Sequence, residues 1–196
     1  MKKNHLMKTI KILLLLFFIP FFGISQTTIF TENFGTTPSG NPLVTVYTGY
    51  QNYGVQRYTG SADVRTTSAS STYVGASGGA NVFIKNTANT SLVISGINTL
   101  NYNTLTLSLG LNKSTTASNG SELGIQVSVD SLVWTDLVFT MTTGTGSAVW
   151  TSITPTGTIP ATSNLKIRFI MKSVSGSLTF RVDDIKLTGI QNIILP

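Results

Sequence analysis

From Gln26 onward, apolar and polar residues alternate in short runs separated by Gly, Asn, Ser and Thr, with no stretch at helical period. The alternating runs predict strands at Thr28–Phe34, Leu43–Thr48, Val55–Thr59, Asn81–Lys85, Ser91–Ser95 and Leu105–Leu111. Further strands are predicted at Leu123–Val129, Leu132–Leu137, Ala148–Ile153, Leu165–Lys172 and Ser177–Leu187. Many short strands at this spacing make an all-β domain of two packed antiparallel sheets, with a jelly roll as its most specific form. The run 165–172 sets Leu165, Ile167, Phe169 and Met171 against Lys166, Arg168, Ile170 and Lys172. One face is core. The other is basic, either a solvated face or a surface for an anionic ligand.

Two local patterns add detail. Asp130-Ser131 sits between two alternating runs and reads as a tight hairpin, since Asp tolerates the left-handed backbone of such turns. Trp134 then packs across the strand pair or into the core; the alternative is that it stacks on a ligand. In Phe180-Arg181-Val182-Asp183-Asp184-Ile185-Lys186-Leu187 the apolar parity slips by one at the two acids. A β-bulge there keeps Phe180, Val182, Ile185 and Leu187 on one face. Two adjacent carboxylates repel unless something neutralises them, and a cation is the natural candidate.

The N-terminus breaks the pattern. Lys2, Lys3, Lys8 and Lys11 precede an apolar run, Ile12–Phe22, and Gly23-Ile24-Ser25 offers small residues before Gln26. This predicts a signal peptide over 1–25, a helix preceding a single β-sandwich domain over 26–196, and hence a secreted protein, extracellular, periplasmic or held at the cell surface. The run falls short of the roughly 20 residues that span a bilayer, so no membrane span is expected after cleavage; an uncleaved anchor is the alternative.

The leader also changes the charge. The whole chain is +6, but past residue 25 nine cations face seven acids. The same stretch holds 30 Thr and 20 Ser, and charged residues are only 10% of the chain. A nucleic-acid partner needs a dense basic stripe, so none is expected. The chain has no cysteine and its one histidine, His5, lies in the leader. That excludes a thiol nucleophile, a Ser-His-Asp triad and a zinc site of the usual ligands.

The segment 180–189 resembles the last strand of bacterial jelly-roll modules, among them carbohydrate-binding and galactose-binding-like domains, and Phe30-Thr31-Glu32-Asn33-Phe34-Gly35 resembles their first. Residues 60–66, 75–83 and the 128–134 hairpin are similar to segments of secreted β-sandwich proteins of the Bacteroidetes. The resemblance covers nearly all of 28–189. Proteins of that group often end in a sorting domain, whose linker would begin about where Ile193–Pro196 stand, so surface attachment stays open. Some are glycosylated on Asp-Ser/Thr-apolar tripeptides, which Asp130-Ser131-Leu132 matches.

The resemblance implies adjacent first and last strands with a structural Ca2+ beside them, for which Glu32, Asp183 and Asp184 are the candidate ligands; the alternative is pairing of the acids with Arg181, Lys186 or backbone amides. Calcium takes six to eight oxygens. It also implies a glycan or polysaccharide partner. The segment 47–58 supplies Tyr47, Tyr50 and Tyr53 for stacking on sugar rings and Gln51, Asn52 and Arg57 for their hydroxyls, with Trp150 as a further aromatic. These tyrosines alternatively cover the sandwich edge. A glycosidase needs two carboxylates at set separations, and no Glu-x-Asp-x-x-Glu strand appears. The expectation is a secreted non-catalytic module that binds carbohydrate, or else a structural or adhesin-like protein without a sugar site.

Overall fold

The computed structural model describes residues 26–35, 38–144 and 149–192. The leader therefore lies outside the described residues, as do Ala148 and 193–196. The described residues form eleven strands and no helix: β1 (Gln26–Glu32), β2 (Arg57–Gly60), β3 (Asp63–Arg65), β4 (Asn81–Ile84), β5 (Ser91–Ile97), β6 (Tyr102–Lys113), β7 (Leu123–Ser128), β8 (Thr135–Leu137), β9 (Thr151–Ile153), β10 (Leu165–Met171) and β11 (Phe180–Gln191).

One sheet has the order β3-β4-β11-β6-β9 with β1 also on β11; the other has the order β2-β5-β10-β7-β8. Every pairing is antiparallel. The chain passes repeatedly from one sheet to the other, as a jelly roll does. This is the two-sheet antiparallel sandwich that the alternation predicts.

β11 organises the six-stranded sheet. One edge pairs with β6 along nearly its whole length, while the other is shared by β4, beside Phe180–Val182, and β1, beside Ile185–Ile190. At the junction the register with β6 shifts between Asp183 and Lys186, and Asp184 takes a left-handed φ of 49°. The bulge returns Ile185 and Leu187 to the buried side with Phe180 and Val182. First and last strands are indeed neighbours.

The core lies between the sheets. Leu165, Ile167, Phe169 and Met171 of β10 are buried in one cluster with the apolar side chains of β7 beside them and of β6 and β11 in the other sheet, with Phe34, Phe169 and Phe180 the largest fully buried residues.

Two sequence expectations are corrected. Leu43–Thr48 is a run of turns with a single bridge, Leu43 to Asp63, because Tyr47 and Tyr50 donate their hydroxyls to Phe34 O and Val44 O and so fold the segment onto the core. The expected tight turn at Asp130-Ser131 is a longer connection, with strand pairing resuming only at Thr135. Asp130 Oδ1 accepts from the N–H groups of Leu132 and Val133 and holds those residues out of the ladder. These bonds also hold the Asp130 carboxyl below the usual range.

Candidate functional site

Three groupings of the named residues emerge, at three different places.

The first is an aromatic and carboxylate cluster in the core. Tyr47, Tyr50 and Tyr58 are buried with Phe34. Tyr50 and Tyr58 stack at 3.5 Å between centroids, and Tyr47 meets Tyr50 edge-on at 4.9 Å. Burial first, and the Glu32 charge second, pushes the Tyr50 hydroxyl well above the usual phenol range and raises that of Tyr47. Glu32, 1% exposed, accepts from the N–H of Phe34 and Gln51 at 2.9 and 3.0 Å, from Asn52 N–H and amide, and from the Tyr58 hydroxyl. The Gln51 side chain accepts from Asn33 N–H, and Asn52 Nδ2 also donates to Thr31 O. Sequence reasoning set Tyr47, Tyr50, Gln51 and Asn52 at a ligand. The structure spends Tyr47, Gln51 and Asn52 on anchoring the 43–58 segment to β1 and the residues just after it, and Tyr50 on closing the segment on itself through Val44 O. Of the four tyrosines in this segment, Tyr53 alone is exposed, at 60%. Trp150 is buried and donates to Ser68 O at 3.0 Å, far from that loop in the chain.

The second is the bulge. Asp183 is buried and its Oδ2 has no hydrogen-bond partner, while Oδ1 accepts from Asp184 N–H. Burial pushes the Asp183 carboxyl up to about 8, with the nearby Ser70 hydroxyl opposing the rise and the Asp184 charge adding to it. Asp184 accepts from the Tyr73 hydroxyl and from Ser77 N–H. The 66–80 segment thus covers both acids. Glu32 does not join them: its oxygens are filled by the donors named above, and among the described residues no three His, Cys, Asp or Glu side chains gather as metal ligands. Asp183 Oδ2 is left without a donor, whereas the Glu32 oxygens have theirs.

The third is the outer face of the five-stranded sheet. Two rows of side chains cross it. Thr59, Val93, Arg168, Gln126 and Asp136 are paired neighbours on five successive strands, and Arg57 and Ser95 form a second row with Lys166 beside them. At about 4.8 Å per strand, a full row is roughly 19 Å long. Between the rows lies an open groove of about 670 Å³, lined by Arg57, Lys166, Arg168 and Trp134 together with two valines and small, mostly polar residues. Trp134 does not enter the core. Released from the ladder by the long β7–β8 connection, its ring lies half-buried against Arg168, with the guanidinium 4.0 Å from its centroid. Arg168 donates through Nε and Nη2 to Gln126 Oε1, and Trp134 donates to Ser131 O. The carboxamide and the indole therefore fix the guanidinium without neutralising it.

Of the ligand residues named from the sequence, Arg57 alone lines this groove. Trp134 was visible as a lone aromatic at a hairpin, and Lys166 and Arg168 as the wet side of an alternating strand. The pairing of β10 with β7 and β5, which brings them together, is not written in any one segment.

No known family profile matches the chain, and no curated protein sequence does. Solved structures do. The K2 cleaved adhesin domain of Lys-gingipain superposes with a TM-score of 0.51 at 12% identity, over 84% of this chain and 98% of that one. The K3 cleaved adhesin domain of Lys-gingipain from Porphyromonas gingivalis w83 gives 0.48 at 13% identity, over 84% and 99%. The CBM22-1 xylan-binding domain of Paenibacillus barcinonensis Xyn10C gives 0.44 at 12% identity, over 86% and 98%. At such identities the likeness is one of fold alone, and the first of these structures supports the β-sandwich seen here.

Proposed function

We propose that the protein is an exported, non-catalytic carbohydrate-binding module whose ligand lies in the groove between β2, β5, β10 and β7. The observation that carries this reading is Trp134, a large aromatic held on the outer sheet face among donors from Arg57, Lys166 and Arg168. An indole fixed by its own hydrogen bond offers a flat apolar surface to the C–H face of a sugar ring, at little entropic cost. Ser95, Ser131 and Asn164 border the same groove and complement sugar hydroxyls. Export rests on the leader sequence. The lining contains no carboxylate, which is why the reading is binding and not glycoside hydrolysis, a reaction that uses two.

Affinity electrophoresis of the protein in gels carrying soluble xylan, mixed-linkage glucan or polygalacturonate tests the reading. Retardation in at least one gel is expected, with Trp134→Ala removing it while leaving the thermal melt in place. Free migration in every gel would sink it and leave an adhesive role toward proteins.

We propose further that Asp183 and Asp184 hold a structural Ca2+. The buried, unpartnered Asp183 Oδ2 supports this. When bound, the ion supplies the positive charge that the acid pair lacks, and it stabilises the fold by mass action.

A further inference from the structure

Resting on the groove as the binding site, we infer that its ligand is an acidic polysaccharide, one carrying a carboxylate or sulfate on its sugar rings. Four of the nine cations beyond the leader, Arg57, Lys166, Arg168 and Lys172, belong to β2 and the β10 strand with its immediate extension. Among the described residues the ion pairs are Arg65–Asp63 and Lys172–Asp136. Arg57, Lys166 and Arg168 have no such partner. Arg168 is bound to a neutral amide and a neutral ring, and Lys166 donates to Val129 O at 3.3 Å. Asp136, whose charge is felt at Arg168, stands on the edge strand β8, outside the groove, where Gln126 Nε2 and Lys172 occupy it, and Asp130 is taken up by the N–H groups of Leu132 and Val133.

Arg57 stands two strands from Lys166 and Arg168, roughly 10 Å at the backbone, so the three like charges repel at a range close to the Debye length of about 8 Å at physiological salt. A ligand that brings negative charge relieves that repulsion; a neutral one does not. The hydrogen-bond inventory agrees. Lysine and arginine only donate, so the charged part of the wall matches a group that only accepts, as ionised carboxylate and sulfate do, and the guanidinium edge is the better match for such planar or tripodal oxygens. Trp134 sits beside the cations and keeps a sugar ring, and not merely a charge, as the thing bound. On the opposite sheet Arg65 and Arg181 also lie against an aromatic, Phe83, but there Arg65 is paired with Asp63 and Arg181 is spent on Asn81 and Thr67.

The test compares polygalacturonate with its fully methyl-esterified form, which keeps the backbone and loses the charge, and dextran sulfate with dextran, by affinity electrophoresis of the protein at low and at moderate salt. At least tenfold tighter binding to one charged polymer than to its neutral counterpart is expected, weakening with salt; the carboxylate and sulfate arms tell the two sources apart. Arg57→Gln and Lys166→Gln are expected to weaken it roughly two- to fivefold each, and Trp134→Ala by about tenfold or more. Equal binding of charged and neutral forms, both lost in Trp134→Ala, overturns the acidic ligand and leaves the glycan module standing. No binding to any polymer overturns both. Binding of charged polymers that ignores Trp134→Ala, or duplex DNA held as tightly as polygalacturonate, also overturns the inference, because the face is then a general polyanion surface.

Discussion

Glu32 on β1 receives the hydroxyl hydrogen of Tyr58 on β2 inside the core, so one buried carboxylate ties the first strand of one sheet to the first strand of the other. The same carboxylate takes up the N–H groups at the head of the 51–58 segment. Removing its charge weakens several bonds at once, and hydrogen bonds to charged groups contribute about 1.5–3 kcal/mol each. Glu32→Gln is expected to destabilise by roughly 2–3 kcal/mol and Tyr58→Phe by roughly 1.5 kcal/mol. Denaturant unfolding checks this through a lower midpoint at unchanged slope. The two effects are expected to be non-additive, because the residues share one bond.

The tyrosines separate by burial. Tyr50→Ala empties a site between Tyr47, Tyr58 and Phe34, and truncating a buried aromatic costs about 3–5 kcal/mol. Tyr53→Ala removes an exposed ring and is expected to stay within about 0.5 kcal/mol. Thermal melts of the two variants check this. The result to look for besides is unchanged polysaccharide retardation by whatever Tyr50→Ala protein remains folded, since that side chain does not border the groove.

The Tyr73 ring rests on Gly110 of β6 with its hydroxyl on Asp184, and a methyl group at position 110 would collide with the hydroxyl end of that ring. Gly110→Ala is therefore expected to displace Tyr73 from the acid pair and to destabilise by roughly 1–3 kcal/mol. A drop in the tyrosine's protection from iodination or nitration would report the displacement directly, and unchanged protection would show that the ring accommodates the methyl.

The sandwich is legible along the chain because the period-two pattern is strong where both sheets bury one face: β10 and β11 can be read residue by residue, including the bulge, from the parity slip at Asp183-Asp184. The segment 43–58 misleads for the same reason. Its tyrosines and valines have the composition of a strand, but what decides its path is which hydroxyls and amides Glu32 and the Phe34 and Val44 carbonyls collect, a long-range matter. The site was half legible. Arg57 and the basic side of β10 stand out as charges on an alternating background. Their convergence with Trp134 depends on strand order, β2-β5-β10-β7-β8, which local sequence does not encode.

Asp183 makes stability depend on pH. Its folded carboxyl titrates at about 8, above its ordinary value of 3.8, so between those two values the folded chain holds a proton that the unfolded chain has released. Stability is then highest near or below pH 4 as far as this group is concerned, and it falls as pH rises toward 8, by up to roughly 1.4 kcal/mol per pH unit. Thermal melts in chelator at pH 5, 6.5 and 8 should show this decline, and Asp183→Asn, which needs no proton to stay neutral, should flatten it. A calcium ion on the Oδ2 atom must displace that proton. Added Ca2+ is accordingly expected to raise the melting temperature more at pH 8 than at pH 5 in the native protein and in Glu32→Gln, and to do nothing in Asp183→Asn. A decline with pH that no concentration of Ca2+ repairs would leave Asp183 as a protonated core acid and remove the ion from the account, because the orphaned oxygen is then served by its own hydrogen.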